Sequence, residues 1–579
     1  MSEEAVVVPA EDVRKEEEDP FAYLERDEFT SEKFKIEIKN LPRYYGIQEL
    51  RKLLNETLKL NSSKLKTPKR NSTFAFVCFR NDEDRCKAIE VLTAYKWKGA
   101  ELSAINAKPA PDPLVKKRRD ENFKNKGNNK KAKVDDDRSV EDKLKDSTTP
   151  FWNLPYEEQL AKKQEDIKGI LKKIGSDLSY QNRELSDWLN KQKQLHDGLP
   201  CELLEIRHAK TIDGYRNKCE FSVGMNEETG EKTVGFRIGS YVNGITGVGP
   251  IENLKHIPDS MKLAARLFEK FVRDSDLDVF NPENQTGQFR QLMARSAKDQ
   301  LMLVVGVSPK DVSVERVDQL KKDLIEFFTT GEGKEAKVTS LYYQPLLKRT
   351  SNEDRSSKPQ HLHGDTHIHE TLLGLKFRVS PEAFFQVNTE AAEVLYESAI
   401  ELAGATEKST VVDICCGTGT IGLCFAKTCN QVLGLEIIPE AIEDAKQNAI
   451  INNIENSEFF AGKAEELLYS VFMRSKNENI VAIVDPPRAG LHNKAINSLR
   501  KLRKMEKLVY ISCNPRQAMK NFIDFGKAES KTMHGEPFVP VRAVAVDLFP
   551  HTPHCELIIF FQRFNTLEET AKAVDDAVC

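Results

Sequence analysis

A chain of 579 residues with 39% hydrophobic and 30% charged residues is too long for one hydrophobic core, so we expect three or four folded units. The formal net charge is only −4, but acidic residues are concentrated in the first twenty positions and basic residues in a later segment. The eleven cysteines form no CxxC pair and have no regular spacing, which argues against a zinc ribbon and a disulfide framework. The start lacks a signal-peptide pattern and no apolar run is long enough to span a membrane, so we expect a soluble intracellular protein.

The first folded unit is a βαββαβ pattern that follows an acidic stretch. Residues 1–31 are polar and acidic, which predicts disorder. Strand alternation is then visible in KFKIEIKNL and STFAFVCF, and helical spacing in GIQELRKLLNETLKL and NDEDRCKAIEVLTAY. The pattern ends near Pro109 and predicts a small α+β sandwich.

A basic linker follows this unit. The stretch KKRRDENFKNKGNNKKAKVDDDR has no periodicity and almost no apolar residues, which predicts a flexible segment. Within it, KKRR (116–119) and KKAK (130–133) have the spacing of a bipartite nuclear-localisation signal. A solvated linker that contacts phosphates explains the same charges. We expect the protein in both the cytosol and the nucleus.

The remaining chain reads as a helix and two larger α/β units. An amphipathic helix is predicted after Pro155, packed on the domain that follows it in the chain. Short strands and helices then alternate over 201–370, and from about 371 to 562 they alternate regularly, as in a doubly wound sheet. The apolar positions of the predicted helix are Leu160, Ile167, Ile170, Leu171 and Ile174.

A glycine loop follows the first buried strand of the last unit. The stretch STVVDICCGTGTIGLCFA contains Asp413 and then the glycines from Gly417 to Gly422, which allow a ligand to approach backbone N–H groups at a helix N-terminus. Nineteen residues after Gly417 the next strand ends in Glu436, where an acid binds ribose hydroxyls in such folds. The combination predicts a nucleotide-type cofactor and fits NAD, FAD and S-adenosylmethionine alike. A tight glycine turn beside a surface glutamate does not explain the spacing.

Two further strands end in polar residues at the same edge. NIVAIVDPPRAG reaches Asp485 and then two prolines, which cannot lie in a central strand. KLVYISCNP reaches Cys513, and we expect Asn514 and Pro515 to form a rigid turn behind it. Because ligands bind at the carboxyl ends of parallel strands, we predict that the Cys513 thiol faces the cofactor crevice. The alternative is an inert, half-buried thiol.

A carboxylate completes a reactive pair. Glu556 lies 43 residues beyond Cys513, just before another apolar strand. A thiolate and a base are what alkylation of pyrimidine C5 requires: the thiolate adds to C6, C5 takes a methyl group from a sulfonium donor, and the base removes the C5 proton so that the thiol leaves. Without this pairing, Glu556 would be interpreted as a solvated carboxylate at a strand end.

Five motifs in this order resemble the RNA uracil-5-methyltransferase family: FFQVN (384–388), DICCGTGTIG (413–422), DPPRAG (485–490), SCNP (512–515) and DLFPHTPHCE (547–556). The resemblance covers about residues 200–562. It implies S-adenosylmethionine-dependent methylation of uracil C5 in RNA, specifically the T-loop uridine of tRNA, which becomes 5-methyluridine through a covalent bond between cysteine and C6.

The same resemblance implies roles for individual residues. Cys513 would be the nucleophile, Glu556 the proton acceptor, and Arg488 would lie beside the RNA. The family often has an aromatic residue where this chain has Cys415, and the iron–sulfur cysteines of bacterial rRNA-modifying relatives are missing from this sequence. The implied cofactor residues are Gln386, Cys415, Gly417, Glu436 and Asp485.

The N-terminal unit carries a second resemblance. IEIKNL (36–41) and STFAFVCF (72–79) resemble the two short signatures of an RNA-recognition motif (RRM). Phe74 and Phe76 alternate, so both would face one side of the sheet as stacking platforms for bases. Glu37 stands where an aromatic residue is usual, and a module that docks a protein or the catalytic domain is the alternative.

A histidine-rich stretch, HLHGDTHIHE, suggests a metal site. No complete ligand set with typical spacing surrounds these histidines, and the predicted chemistry needs no metal. We therefore interpret the stretch as a polar hairpin leading into the strand LLGLKFRVS and expect no metal. The histidines are His361, His363, His367 and His369.

Three other functions share part of this sequence pattern. An NAD oxidoreductase shares the glycine loop but gives no reason for Cys513 and Glu556 at one edge. A cytosine-5 RNA methyltransferase typically has a second cysteine after the proline of the fourth-strand motif, where this chain has Pro486, Pro487 and Arg488. An RNA-folding protein that retains the enzyme core stays open as an alternative.

The sequence thus predicts an α/β multidomain fold with an N-terminal RRM-like α+β sandwich, a central mixed α/β domain and a C-terminal Rossmann-like, doubly wound methyltransferase domain. We expect S-adenosylmethionine as cofactor and the T-arm of tRNA as substrate, with other RNAs as further candidates. We expect no membrane contact and a monomer. The predicted boundaries are 1–31 (disordered acidic N-terminus), 32–110 (RRM), 111–147 (basic linker), 148–200 (helical connector), 201–370 (central domain), 371–565 (catalytic domain) and 566–579 (tail).

Overall fold

The computed structural model describes residues 21, 24, 32–42, 44–68, 72–109, 138–239, 246–281, 286–347 and 358–567. Contacts between Cα atoms divide the chain into two units, residues 1–136 with 240–245 and residues 137–239 with 246–579. The predictions for the acidic N-terminus apart from residues 21 and 24, for the basic segment 111–137 with its nuclear signal, and for nearly all of the tail lie outside the described residues. None of the described helices is long and apolar enough to cross a membrane.

The first unit is a four-stranded antiparallel sheet with the order β2-β3-β1-β6. Alternate residues such as Ile36, Ile38 and Val77 are buried beneath the helices, which leaves the other face of the sheet free of helices. A single π-helical turn, Leu53–Thr57, continues the first helix. The elements are β1 (Lys35–Lys39), α1 (Ile47–Lys52), β2 (Lys64–Lys66), β3 (Ala75–Cys78), α2 (Asp82–Leu92), β4 (Lys96–Trp97), β5 (Ala100–Glu101) and β6 (Ser103–Asn106).

The second unit begins with a helical connector. Its first helix includes residues 140–147 of the range predicted as a flexible linker, so that part of the linker prediction is wrong. The helix forms because the Ser139 hydroxyl accepts a hydrogen bond from the Asp142 N–H at its start and Leu144 is buried. The helices are α3 (Val140–Thr148), α4 (Tyr156–Gln181) and α5 (Ser186–Leu195).

Helix α4 is the amphipathic helix that the sequence predicts, but it packs on a different domain. Its apolar residues, including Ile167 and Leu171, belong to the same hydrophobic cluster as Phe522 and Ala543 of the C-terminal domain. The prediction that it packs on the central domain is therefore wrong. Ala543 lies on β23 near one end of the C-terminal sheet, and the apolar residues of α4 pack in the same cluster as this residue.

The central domain is a seven-stranded sheet with the order β11-β10-β9-β12-β13-β14-β15. Its two helices cover one face through residues such as Phe268 and Leu324, while Met302 and Tyr342 on the other face pack toward the C-terminal core. The elements are β9 (Lys218–Met225), β10 (Lys232–Arg237), β11 (Val248–Gly249), α6 (Asp259–Asp274), β12 (Phe289–Ala297), β13 (Gln300–Val307), α7 (Val314–Thr329), β14 (Ser340–Pro345) and β15 (Gln360–Gly364), after β7 (Glu202–Leu203) and β8 (Arg207–His208).

A hairpin connects the central and C-terminal domains. The stretch LLGLKFRVS, predicted as one strand, instead turns at Leu373 and Gly374, whose φ angles of 50° and 73° lie in the left-handed region. The hairpin strands are β16 (Ile368–Leu372) and β17 (Leu375–Val379). Among the described residues, the nearby histidines included, no group of three or more His, Cys, Asp or Glu side chains is placed to hold a metal ion.

The C-terminal domain is a nine-stranded sheet with the order β20-β19-β18-β21-β22-β24-β23-β7, in which β8 also pairs with β23. Strands β18 to β22 are parallel to one another, whereas β24 is antiparallel to both of its partners, β22 and β23. Strands β7 and β8 therefore belong to this sheet and not, as predicted, to the central domain. The elements are α8 (Thr389–Ala403), β18 (Ser409–Ile414), α9 (Thr420–Phe425), β19 (Gln431–Glu436), α10 (Pro439–Ile451), β20 (Ser457–Ala461), α11 (Ala464–Phe472), β21 (Asn479–Val484), α12 (Asn493–Lys501), β22 (Met505–Ser512), α13 (Pro515–Gly526), β23 (Phe538–Asp547) and β24 (Glu556–Arg563).

Both faces of this sheet are buried, which makes it doubly wound. Val412 and Ile414 of β18 point into one hydrophobic cluster, whereas Val411 points into another on the opposite face. Helices α11, α12, α13 and α4 cover the first face, and α8, α9 and α10 cover the second. The functional side chains must therefore lie at the ends of the strands, since neither face is open to a ligand.

Candidate active site

The strand register brings the predicted site residues to one edge of the sheet. Ile414 of β18 pairs with Leu435 of β19 and with Val484 of β21. One residue further along each parallel strand, Cys415 therefore lies between Glu436 and Asp485. These residues follow the carboxyl ends of the central strands, where ligands bind in open α/β sheets.

Cys513 and Glu556 face each other across two antiparallel strands. Ser512 pairs with Leu557, so continuing the register by one residue places Cys513 opposite Glu556. Residues directly opposite in an antiparallel pair have Cα atoms about 4.5–5.5 Å apart. The structure thus brings the predicted nucleophile and the predicted base together, although 42 residues separate them in the chain.

The thiol of Cys513 sits between a strand and a helix. Asn514 and Pro515 do not form the isolated turn that the sequence predicts; Asn514 caps helix α13, with its side-chain oxygen 3.2 Å from the Gln517 N–H, and Pro515 is the first helical residue. Cys513 is half-buried, and burial together with the Glu556 and Asp485 carboxylates raises the pKa of its thiol. The Arg488 guanidinium contacts the thiol and lowers this pKa, so it favours the thiolate.

Glu556 is 3% exposed, and its burial and the nearby Asp485 raise the pKa of its carboxyl group well above the ordinary value. Asp485 is itself desolvated, which raises its pKa to about 7. A carboxyl group with a raised pKa binds a proton readily at neutral pH. Glu556 therefore has the environment of a carboxylate that accepts a proton more readily than it would in water.

The glycine loop is held by two carboxylates. Asp413 is fully buried and accepts a hydrogen bond from the Gly422 N–H at 2.8 Å, and burial raises its pKa to about 7. Glu436 accepts hydrogen bonds from three backbone N–H groups, those of Gly417 (3.2 Å), Ile437 (2.8 Å) and Ile438 (3.0 Å). These bonds fix the loop between β18 and α9 in front of the strand ends.

Gln386 is positioned by the central domain. It lies between the hairpin and helix α8, and its carbonyl accepts a hydrogen bond from the Asn217 side chain at 2.9 Å. The Asn217 backbone N–H donates to the next residue, Val387, at 2.8 Å. Helix α8 then reaches the glycine loop, where the Tyr396 hydroxyl lies 3.4 Å from the Thr420 hydroxyl. No hydrogen bond between the Gln386 side chain and the other site residues occurs within the described ranges.

Sequence reasoning missed a buried ion pair behind the site. The Lys163 ammonium of α4 and the Asp547 carboxylate at the end of β23 lie 2.7 Å apart, and both side chains are fully buried. Lys163 also donates to the Phe549 carbonyl at 3.1 Å, and Asp547 accepts from the Tyr156 hydroxyl at 3.1 Å. The signal was present in the sequence, because Lys163 falls on the apolar stripe of α4, four residues before Ile167.

The same helix holds the loop that leads to Glu556. The Gln159 side-chain oxygen accepts a hydrogen bond from the His551 N–H at 2.7 Å, and His551 has a left-handed φ of 67°. The His551 ring contacts the Asp213 carboxylate at 2.7 Å. The loop 548–555 is thus tied to α4 on one side and to the start of the central domain on the other.

In the first unit, Phe74 and Phe76 lie as the sequence predicts. Ala75 and Val77 are buried, whereas Phe74 and Phe76 are only partly buried and their ring centroids are 5.8 Å apart. The Lys35 ammonium lies 4.7 Å from the centroid of the Phe76 ring. Both rings therefore belong to the face of the sheet that the helices leave free, next to a cation.

The fold and the edge residues define the class of protein. A crystal structure of Pyrococcus abyssi tRNA (uracil-54, C5)-methyltransferase in complex with S-adenosyl-L-homocysteine matches with a TM-score of 0.50 at 23% identity, over 71% of this chain and 84% of that chain. At this identity the match shows the fold, an α/β fold shared with that methyltransferase. The predicted α/β multidomain fold class and the predicted cofactor are confirmed.

Sequence comparisons identify the family within this class. The model of the family described as tRNA (Uracil-5-)-methyltransferase matches residues 355–564, and that of the RNA recognition motif matches residues 36–103. The Mus musculus and Homo sapiens proteins named tRNA (uracil-5-)-methyltransferase homolog A are 42% and 41% identical over 94% of this chain, covering 87% and 85% of their own lengths. The chain belongs to the tRNA (uracil-5-)-methyltransferase family, as the five motifs predict.

The residues at the sheet edge fit S-adenosylmethionine. Gly417 has a left-handed φ of 54°, and a Cβ added to it would meet nothing within 4 Å, so open space lies in front of the loop. One oxygen of the buried Asp413 carboxylate has no hydrogen-bond partner among the described residues. An acid at the end of the second strand and exposed apolar residues directly after it, Ile437 and Ile438, complete a surface suited to a nucleoside.

Proposed function

We propose that this enzyme methylates C5 of a uracil in tRNA, at the uridine of the T-loop, through a covalent bond between Cys513 and C6. The observation that carries the proposal is the strand register, which sets Cys513 opposite Glu556 at the cofactor edge. The family supports tRNA uracil as the substrate, since the homolog A proteins are named for that activity. The matched Pyrococcus abyssi enzyme is named for uracil 54 of tRNA, which supports a single preferred position.

The chemistry requires a nucleophile because C5 of uracil is not reactive by itself. The Cys513 thiolate forms a bond to C6, and the C5–C6 double-bond electrons move toward the C4 carbonyl, which makes C5 nucleophilic. S-adenosylmethionine, when bound, supplies the electrophilic methyl group. Glu556 then takes the C5 proton, the C5–C6 double bond re-forms, and the Cys513 sulfur leaves with its electron pair.

The neighbouring residues would bind the RNA and the cofactor. Arg488 favours the thiolate of Cys513 and, being exposed, is available to the RNA. Glu436 would bind the ribose hydroxyls of the cofactor, and the N–H groups near Gly417 its amino-acid portion. Cys415, Gln386 and Asp485 would line the same cofactor site.

The direct experiment maps the product. Purified protein is incubated with a labelled methyl donor and an unmodified tRNA transcript, and the RNA is digested to nucleosides and to oligonucleotides. We expect label in 5-methyluridine at the T-loop position, and none with Cys513→Ala. Label in another nucleoside would refute the uracil assignment, and label at another uridine would refute the T-loop assignment. If the inactive Cys513→Ala protein still accelerates tRNA folding, the protein also has the RNA-folding function.

We also propose that the protein is distributed between cytosol and nucleus and acts as a monomer. The basic residues at 116–119 and 130–133 support a nuclear signal. Replacing Lys130 and Lys131 with Ala should shift a fluorescently tagged protein toward the cytoplasm, and an unchanged distribution would reject the signal. Light scattering of the purified protein measures the oligomeric state.

A further inference from the structure

A cavity of about 420 Å³ lies in the second unit, between the central sheet and the segment that precedes helix α8. Its walls include Arg216, Lys218 and Arg295 from the central domain and Phe384 from the FFQVN motif. Neither Cys513 nor Glu556 is among its lining residues. The two proposed reactive groups therefore do not belong to the cavity wall, and its volume is within the range of about 300–1,000 Å³ that is usual for ligand sites.

The charge of the cavity favours an anion. Three cationic side chains line it against one carboxylate, that of Glu220, which lies 2.9 Å from the Lys218 ammonium. Arg216 donates its Nε–H to the Lys218 carbonyl at 3.0 Å, and no carboxylate pairs with Arg216 in the part of the chain that the structure describes. Its guanidinium therefore remains available to a phosphate, the anion that such a planar group binds well.

Two buried polar atoms in the cavity wall lack partners. Arg295 is 2% exposed and donates to the carbonyls of Ser380 and Ala383, but its Nε finds no acceptor among the described residues. His256 is 5% exposed, and its Nδ1 is likewise unpaired within those residues. Buried polar groups in native proteins are nearly always satisfied, so these two atoms are free to bind a polar group that enters the cavity.

An exposed aromatic ring lies in the same wall. Phe384 is 71% exposed, whereas its neighbour Phe385 is buried. An exposed ring beside a guanidinium and unpaired hydrogen-bonding groups is the combination with which proteins bind single nucleotides of RNA, by stacking, phosphate contact and contact with a base edge. Apolar packing alone does not account for Phe384, because most of its surface is in solvent.

The cavity adjoins both loops of the proposed active site. Asn217, between Arg216 and Lys218, holds the carbonyls of Gln386 and Val387. Tyr215, on the other side of Arg216, donates its hydroxyl to the Pro550 carbonyl at 3.1 Å, in the loop that leads to Glu556. A ligand in the cavity would thus lie next to the substrate uracil and not at a remote regulatory position.

We propose that this cavity receives one nucleotide of the RNA substrate other than the methylated uridine, with its base against Phe384 and its phosphate on Arg216. The proposal rests on the proposed function, because it takes the RNA to be the molecule whose uracil reaches Cys513. The nucleotide would be unpaired, since only an unpaired base exposes its face to a ring and its edge to Arg295 and His256. The cavity would then contribute to the choice of the RNA loop that is methylated.

The first test compares variants of the cavity with matched surface variants. Phe384→Ala and Arg216→Gln should each raise the KM for a tRNA transcript about 10-fold, as expected for loss of one stacked base or one phosphate contact. Arg216→Gln should also reduce the salt dependence of tRNA binding by about one counterion. The controls are Tyr469→Ala, which removes a ring that is 68% exposed, and Lys504→Gln, whose side chain is 72% exposed. Cofactor affinity measured without RNA verifies that each variant is folded.

The second test identifies the nucleotide. Phe384 is replaced by the photoreactive analogue p-benzoylphenylalanine, the full-length protein is irradiated with tRNA transcript, and the cross-linked nucleotide is mapped. A cross-link to a nucleotide other than the methylated uridine supports the proposal. A cross-link only to the methylated uridine, or unchanged KM in both variants while the wild-type enzyme methylates tRNA, overturns it. If instead the wild-type enzyme methylates no tRNA, the proposed function fails, and the cross-link map still reports on the cavity separately.

Discussion

The carboxyl groups at the sheet edge set the proton chemistry of the site. Asp485 raises the pKa of both Cys513 and Glu556, and its own pKa of about 7 means that it becomes charged in the neutral range. The proposed catalytic pair is therefore more easily protonated in the resting enzyme than either group would be in water. In the proposed mechanism both groups become competent as pH rises, because Cys513 must be a thiolate and Glu556 a carboxylate.

If Glu556 removes the C5 proton, it acts after the methyl group has been transferred. Glu556→Gln keeps the shape of the side chain but lacks basicity, so Cys513 should still add to the uracil and the product should remain attached to the protein. We expect a methylated protein–RNA adduct with ordinary tRNA that survives denaturing electrophoresis. The double variant with Cys513→Ala should give no adduct. Normal turnover by Glu556→Gln would exclude the role, and loss of both turnover and adduct would place Glu556 in an earlier step.

The charges around Cys513 can be tested without substrate. The rate at which iodoacetamide alkylates Cys513, followed by mass spectrometry of its peptide, reports the thiolate fraction as a function of pH. Asp485→Asn removes a charge that raises the thiol pKa, so the alkylation profile should move to lower pH. Arg488→Gln removes a charge that lowers it, so the profile should move to higher pH. Shifts in the same direction for both variants would contradict the electrostatic assignment.

At the residue scale the sequence predicts the reactive groups but not their supports. Cys513, Glu556 and Glu436 are recognisable because each follows an apolar strand and falls within a motif. Lys163 and Asp547 are not, because a buried ion pair forms only when two distant segments meet, here across 384 residues. Their pairing depends on the packing of α4 against the C-terminal sheet, which the helical periodicity alone does not specify.

At the scale of elements, helix α4 connects the start of the second unit with the loop before Glu556. Lys163 and Gln159 lie on its buried face, and together they bind Asp547, Phe549 and His551. The sequence predicts the helix from its apolar spacing but assigns it to the wrong neighbour. The central domain is closer in the chain, whereas the apolar residues of α4 pack in the cluster of the C-terminal domain.

Lys163→Met should destabilise the second unit by about 3–5 kcal/mol, because it leaves the Asp547 carboxylate buried without its partner. The double variant Lys163→Met with Asp547→Asn should recover a large part of this loss, since the remaining charge is then removed as well. Lys168→Met is the matched control: its side chain is 44% exposed and its pair with Glu165 spans 3.7 Å, so a change below about 1 kcal/mol is expected. Urea unfolding of the three variants measures these differences. Equal effects of Lys163→Met and Lys168→Met would show that the buried pair has no special role in stability.

At the scale of the whole molecule, a small RNA-recognition fold and a large catalytic unit are joined by the basic segment. The alternation of strands and helices predicts both folds. It does not predict that β7 and β8, more than 300 residues before β23, complete the catalytic sheet. Strands that pair over only two residues show no periodicity in the sequence. Their position depends on the sheet strand with which they pair, which here is β23.

The function of the RNA-recognition fold can be separated from catalysis. Phe74 and Phe76 lie on the open face of the sheet beside Lys35, which is the arrangement that stacks unpaired bases. Stacking is worth about 1–3 kcal/mol per base, so Phe74→Ala with Phe76→Ala should weaken tRNA binding by about 5-fold or more even if only one ring is engaged. Binding of the methyl donor should not change, because the cofactor residues belong to the second unit.

The carboxylate of Glu37 provides a second test of RNA binding by this face of the sheet. It pairs directly with Phe76 in the sheet, so its carboxylate lies beside the ring on which a base would stack and repels RNA phosphates. Glu37→Gln should therefore strengthen tRNA binding and make its salt dependence steeper, because it removes a negative charge that opposes the phosphates. The control is Tyr180→Ala, which removes a ring that is 84% exposed on α4. Fluorescence anisotropy with labelled tRNA measures all three changes. Unchanged affinity in both the phenylalanine and the Glu37 variants would instead assign this face to a protein partner.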